Sequence, residues 1–360
     1  MRSKTRRSQS QSPDRGQNAA FLVFAARIKR RVDTRLQQRL KGELKSISRL
    51  GPEVLAACSA ATDVCSRGGK RVRAALVFAG AKCFPKPASE ATLIEIGAAV
   101  ELLHAYFLIH DDWMDGDLVR RGGPSAHAIL RKRFGINAGD AAAVLAGDWG
   151  ATVANHWMSK LDLPKASLNK VLSAFFGMQR AAIYGQLRDS LSQGEGVERT
   201  YELKTASYTV EGPLTLGAVV SGASPLAVNA LKKFAIPLGV AFQLRDDLIG
   251  LFSVESATGK PFGSDLKSGK FTAVARDALN HARGRERQRL SSVFGNPRAT
   301  HSSLTDAVRV IEAVGARDRA EQRIAHLLKL ADSRLKKAPI SEEGRALLMS
   351  ASTALALRIT

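Results

Sequence analysis

Twice in this chain a long apolar run at helical spacing ends in a pair of aspartates, first in ELLHAYFLIHDDWMD (Glu101–Asp115) and again in GVAFQLRDDLIG (Gly239–Gly250). On a helix the first run sets Asp111 and Asp115, four apart, on one face about 6 Å from each other along the axis. Two carboxylates pointing the same way repel, and behind largely apolar residues they need a cation to offset them. Two such helices facing each other can hold that cation together, so the fold must bring Asp246 close to Asp111. Oxygen-only ligands suit Mg²⁺, which keeps several waters and binds through one or two carboxylates plus substrate phosphates. Either pair alone reads first as a solvated helix end. Both together, each with Lys and Arg clusters nearby, point to a metal–diphosphate site.

The remainder of the sequence constrains what surrounds these two helices. No sustained alternation of apolar and polar residues occurs, Ala and Leu dominate, and aromatics are 6%, which predicts an all-α, single-domain helical bundle. A chain of 360 residues can bury a large core. Residues 1–18 are rich in Ser, Gln and Arg, with too little apolar surface to offset the entropy of ordering, and are expected to form a disordered basic tail; residues 19–360 form the helical domain. From Phe21 an amphipathic helix is expected, with Ile28, Val32, Leu36, Leu40 and Leu44 on one stripe. Its basic face allows weak contact with a membrane surface.

A net charge of +21 and a pI near 10.3 suit anionic partners such as diphosphates or anionic lipid. Basic and acidic residues alternate along most helices without interleaved aromatics, which excludes nucleic acid. Three cysteines, Cys58, Cys65 and Cys83, make a poor disulfide framework and indicate a reducing compartment. With neither an apolar leader region at the start nor a run of eighteen apolar residues, a cytoplasmic protein is expected.

Other stretches carry charge where it needs a partner. After Gly51-Pro52 and a helix to about Ser66, Gly68-Gly69 turns the chain into GGKRVRAALVFAG, whose Lys70, Arg71 and Arg73 sit at a helix start and oppose its dipole unless an anion binds. The organising helix runs from about Glu90 to Met114, followed by the loop DGDLVRRGGPSAH carrying Arg120 and Arg121. Helices are expected near 124–135, 139–160 and 166–192; the last carries Gln186 and Asp189, read as an exposed polar face. Lys204-Thr205 lies inside an apolar helical run that Gly212-Pro213 must kink or break, and a lysine there needs a partner. A loop TGKPFGSDLKSGK with Lys260, Asp265 and Lys270 follows the second acidic helix, and then some four amphipathic helices.

The ordered set GGKRVR, HDDWMD, RRGG, GQLRD, KT, FQLRDD and TGK…SGK resembles the trans-isoprenyl diphosphate synthases over residues 20–355. The resemblance implies a helical bundle with a central cavity, usually homodimeric, that joins isopentenyl diphosphate to an allylic diphosphate. It implies that Asp111, Asp115 and Asp246 ligate three Mg²⁺ ions, with Asp112 and Asp247 acting from behind them. Lys70, Arg73, His104 and Arg121 match the isopentenyl diphosphate site. Arg120, Lys204 and Lys260 match the allylic diphosphate contacts, and Lys270 closes the mouth. Thr205 and Gln243 would stabilise the allylic cation as dipoles. Tyr106 and Phe107, five and four residues before Asp111, would form the floor that stops elongation at fifteen carbons, farnesyl diphosphate, with twenty-carbon geranylgeranyl diphosphate as the alternative.

Two positions depart from the common pattern. Gly250 stands where a third aspartate is frequent in the second motif, and Ala74 replaces a frequent proline. A terpene cyclase would share the acidic helix but needs no second diphosphate pocket. A non-catalytic prenyltransferase subunit would have lost acidic ligands that persist here.

Overall fold

A computed structural model describes residues 15–192, 195–252 and 262–357. It is an all-α bundle of sixteen described α-helices and one π-helical segment. In chain order these are α1 Arg15–Ile47, α2 Pro52–Ser66, α3 Val72–Lys82, α4 Glu90–Asp115, α5 Ala126–Phe134, α6 Ile136–Ser159, α7 Lys165–Leu191, α8 Val197–Tyr201, the π segment Glu202–Glu211, α9 Gly212–Val220 and α10 Pro225–Phe252. There follow α11 Ser264–Lys267, α12 Ala273–His281, α13 Gly284–Val293, α14 His301–Ala313, α15 Ala316–Lys336 and α16 Glu342–Leu357. Among the described residues the only strands are β1 Val119–Arg120 and β2 Gly123–Pro124, an antiparallel pair within the arginine loop. Helix α1 begins at Arg15, earlier than the start expected at Phe21. Of the tail expected over residues 1–18, residues 15–18 belong to α1 and residues 1–14 lie outside the described residues.

Most of the expected α1 stripe is buried, with Ile28, Val32, Leu36 and Leu40 at most 1% exposed, while Leu44 near the helix end is only half-buried. That face packs on α3, α4 and α16. Helix α4 starts where Ser89 accepts a hydrogen bond from the Thr92 amide and stops where Gly116 takes a left-handed conformation, a conformation glycine adopts without a Cβ penalty. Between these caps it crosses the bundle against α6. Helices α4 and α10 are long and apolar enough to cross a bilayer, yet 67% and 50% of their most apolar windows are buried in the protein. Their hydrophobicity is used for packing.

At Gly212-Pro213, where the run was expected to kink or break, the helix changes its winding and does not end. Residues 202–211 wind as a π-helix that runs directly into α9. Pro213 falls at the start of α9, where a missing amide is tolerated, and the wider turns before it absorb the change of register. The π segment packs on both α7 and α10, and its Lys204, Thr205, Tyr208 and Thr209 line the central cavity.

Candidate active site

A cavity of about 520 Å³ opens between the C-terminal ends of α4 and α10. Its walls include Arg73, His104, Asp111, Arg120, Arg121, Lys204, Thr205, Gln243, Asp246 and Lys270. The structure thus brings together the side chains that the sequence pairs only by pattern. Asp115 reaches the same mouth, with Lys270 Nζ 3.4 Å from its Oδ2. Lys70 is exposed at the turn before α3 and is not among the lining residues. Lys260 lies outside the described residues.

Two lysines meet the acidic face. Lys204 Nζ donates to Asp111 Oδ1 at 3.0 Å and to Asp189 Oδ2 at 2.6 Å, while Lys270 Nζ lies 3.9 Å from Asp189 Oδ2. Burial alone would raise the Asp111 carboxyl, but Lys204 and Lys270 outweigh it and hold it at about 2. Burial works against the charge on Lys270, and Asp115, Asp111 and Asp189 overcome it, so its ammonium stays protonated. Asp189, read from sequence as exposed, is a member of the site. Lys204 reaches it because Gly185 on α7 lets the π segment approach so closely that a Cβ there would stand 2.1 Å from the Lys204 amide nitrogen.

The second aspartate of each motif is turned inward. Asp112 is fully buried and accepts from Arg120 Nε at 2.8 and 3.1 Å, which fixes the guanidinium on the cavity wall. Asp247 accepts from the Tyr201 hydroxyl and from Gln243 Nε2 at 3.0 Å. Burial raises its pKa to about 7, with the bonds from Tyr201 and Gln243 opposing the rise. Because Asp247 takes the Gln243 amide nitrogen, the amide oxygen must face Thr205, whose hydroxyl donates to it at 2.6 Å. The Tyr201 hydroxyl also accepts from the Ala273 amide at 2.7 Å. Tyr201 escaped the sequence reading, since a tyrosine in a helical run carries no spacing signal.

At the opposite wall Arg73 lies 4.3 Å from the centre of the Tyr208 ring and donates to Thr209 Oγ1 at 2.7 Å. The Tyr208 hydroxyl stands 3.2 Å from His104 Nδ1. Burial first, then Arg73 and Arg121, push the His104 pKa well below its ordinary value, so the ring is neutral. Arg121, in a left-handed conformation with φ 51°, donates to the Gly68 carbonyl at 2.7 Å. Arg71, grouped in sequence with the phosphate-binding cations, is only 3% exposed and pairs with Asp33 and Glu101. Its burial requires those carboxylates, and it serves the packing of α1, α3 and α4.

A second, apolar cavity of about 150 Å³ continues from the first and shares Leu108, Asp111, Lys204 and Tyr208 with it. Tyr106 and Phe107 line it, with Ala182, Ile183 and Leu187 opposite. The two rings lie 4.8 Å apart, and Phe107 is 5.0 Å from the Tyr208 ring.

Among the described residues no three His, Cys, Asp or Glu side chains converge into a cage. Such an open set of carboxylates fits an ion that completes its shell with water and phosphate oxygen, as Mg²⁺ does. Asp111, Asp115 and Asp246 are the carboxylates that would meet such an ion.

Comparison with known proteins agrees with this geometry. The polyprenyl synthetase family model matches residues 56–311. A short chain isoprenyl diphosphate synthase of Methanothermobacter thermautotrophicus is 30% identical over 86% of this chain and 93% of its own length. A farnesyl diphosphate synthase of Geobacillus stearothermophilus is 30% identical over 70% and 85%. Among solved structures, a geranylgeranyl pyrophosphate synthase of Corynebacterium glutamicum, complexed with isoprenyl diphosphate and magnesium, superposes with a TM-score of 0.86 at 29% identity, over 92% of this chain and 99% of that one. An apolar tunnel under an acidic, lysine-bridged mouth, on this bundle and with these relatives, leaves one assignment: the chain belongs to the polyprenyl synthetase family of trans-prenyltransferases.

Proposed function

We propose that the protein condenses isopentenyl diphosphate head-to-tail with an allylic diphosphate and releases farnesyl diphosphate as its main product. The observation that carries the chain length is the pair of rings in the apolar cavity. Phe107 sits one helical turn, about 5–6 Å, behind Asp111, and with Tyr106 it lines the space into which a growing chain would extend. Relatives named for fifteen- and twenty-carbon products both occur, so the floor has to be tested. Purified protein supplied with isopentenyl diphosphate and each allylic primer in turn is expected to accumulate fifteen-carbon product. Tyr106→Ala combined with Phe107→Ala is expected to shift it to twenty carbons or more. An unchanged distribution in the double variant would place the floor elsewhere.

The side chains divide the work. In this reading Lys204, Arg120 and Lys270 bind the allylic diphosphate, while Arg73, Arg121 and neutral His104 bind the isopentenyl diphosphate, the last as an N–H donor. Asp111, Asp115 and Asp246 would hold Mg²⁺, three ions in this reading, which when bound would supply positive charge to a leaving diphosphate. Thr205 and the oriented Gln243 amide present oxygen dipoles toward the allylic cation without capturing it. The double bond of the second substrate attacks that cation, and the proton it then loses passes to the departing diphosphate.

We further infer a cytoplasmic homodimer. Three free, buried thiols support the reducing compartment. The exposed Phe176, Ile183, Tyr184 and Leu187 on α7, with Leu145 on α6, support a covered apolar face; sedimentation at the mass of one chain would refute the dimer.

A further inference from the structure

Arg121 meets the cavity from the tip of a very short hairpin. Val119 pairs with Pro124 and Arg120 with Gly123, which leaves Arg121 and Gly122 as the two central residues of the turn. Both have positive φ, 51° and 73°, as the type I′ turn of a two-residue hairpin requires. Glycine meets that demand freely. An arginine does not, and holds a left-handed conformation only where surrounding contacts impose it. A lone two-stranded hairpin is too marginal to supply them.

The contacts come from Arg67, the residue that ends α2. Its Nη1 donates to the Arg120 carbonyl at 3.1 Å and to the Pro124 carbonyl at 2.6 Å, one on each strand, so the guanidinium lies across the hairpin. Gly123 makes the room: a Cβ there would stand 2.6 Å from that nitrogen. On its other edge the guanidinium donates from Nε to Asp63 Oδ2 at 3.0 Å, and from Nη2 to the same oxygen. A carboxylate one turn back on α2 thus orients the group and offsets its charge beside two further arginines. The next residue closes the circuit, because the Gly68 carbonyl accepts from Arg121 Nη1 at 2.7 Å. The backbone and the side chain of Arg121 are both tied to the same end of α2.

We infer that Arg67, oriented by Asp63, is a positioning residue that sets the arginine hairpin and through it the Arg121 guanidinium. The inference rests on the reading of Arg121 as a contact of isopentenyl diphosphate. The two arginines of the hairpin depend on Arg67 unequally. Arg120 is also held by Asp112, whereas the Arg121 guanidinium takes its place from the hairpin tip and the Gly68 carbonyl. Loss of the Arg67 contacts therefore falls first on the pocket for isopentenyl diphosphate.

Steady-state kinetics of the full-length protein, read beside its melting temperature, separates this role from one in stability alone. Arg67→Ala is expected to raise the KM for isopentenyl diphosphate about tenfold, the scale of one lost charge-assisted hydrogen bond. The KM for the allylic primer should rise less, and kcat at saturation should hold. Arg67→Lys keeps the charge without the planar fork and should fall between native and Arg67→Ala; Asp63→Asn should move the same KM in the same direction. In an Arg121→Ala background, Arg67→Ala should add less than about twofold, since the group it positions is gone. The inference is overturned if Arg67→Ala and Arg67→Lys lower the melting temperature while the isopentenyl KM stays native, or if the effects at 67 and 121 multiply. A native isopentenyl KM in Arg121→Ala alone would instead sink the substrate reading, whatever residue 67 does.

Discussion

Burial decides the charge of His104, and the consequence is measurable. Its folded-state pKa lies well below the ordinary value, through burial and then through Arg73 and Arg121, so the unfolded chain takes up the proton first as pH falls. Stability must then drop with falling pH below about 6.5, at up to roughly 1.4 kcal/mol per pH unit from this one group. Wild-type melting between pH 6.5 and 5 is expected to be steeper than that of His104→Gln by that margin; equal slopes would mean the ring is charged in the fold. At the acidic residues the expectation concerns rate: Asp111→Ala or Asp246→Ala should lower turnover by orders of magnitude while circular dichroism stays native. Arg121→Ala should raise the KM for isopentenyl diphosphate more than that for the allylic primer, and equal changes would show the two pockets to be divided differently.

The π segment shows what an element contributes that no single residue can. It places Lys204 between α4 and α7 only because Gly185 admits its backbone. Gly185→Ala forces a contact that flexible side chains cannot relieve, and should destabilise the protein by about 1–3 kcal/mol and reduce allylic substrate binding. Native melting and native KM would show the helices free to part. None of this is legible in the sequence, since a helical run that widens keeps its apolar pattern. The main helices were legible because their stripes are long and their ends carry Pro, Gly or Ser. The acidic face of the cavity was legible because paired aspartates end two apolar runs at helical spacing, whereas His104, Thr205 and Gln243 entered only through the family resemblance. Asp189 and Arg71 were misjudged for one reason: sequence shows a charge but not its burial, and each finds its counter-charge on a distant element.

At the scale of the molecule the core falls into two large clusters. One joins α1, α3, α4, α6, α7, α9 and α16, the other gathers α12–α15 around the second half of α10. Asp111 belongs to a helix of the first and Asp246 to the stretch of α10 in the second, so the site lies on their seam. A ligand spanning the seam should stabilise the whole. Mg²⁺ with inorganic diphosphate at a hundred times its dissociation constant is expected to add about 2.7 kcal/mol, a shift of a few °C, which a chelator should reverse. Melting indifferent to both would separate the cavity from the anion.

The docking of α1 on α16, where the Phe21 amide donates to Ser350 Oγ at 2.9 Å across 329 positions of sequence, has a consequence in time. A ribosome adding roughly 5–20 residues per second needs on the order of half a minute to travel from one partner to the other. Throughout that interval the earliest helix carries part of its apolar stripe with its final cover unmade. The nascent chain is then a client for holding chaperones, and strains that translate slowly, or substitutions that weaken α16, should show it as aggregation during synthesis before they show it as lost activity.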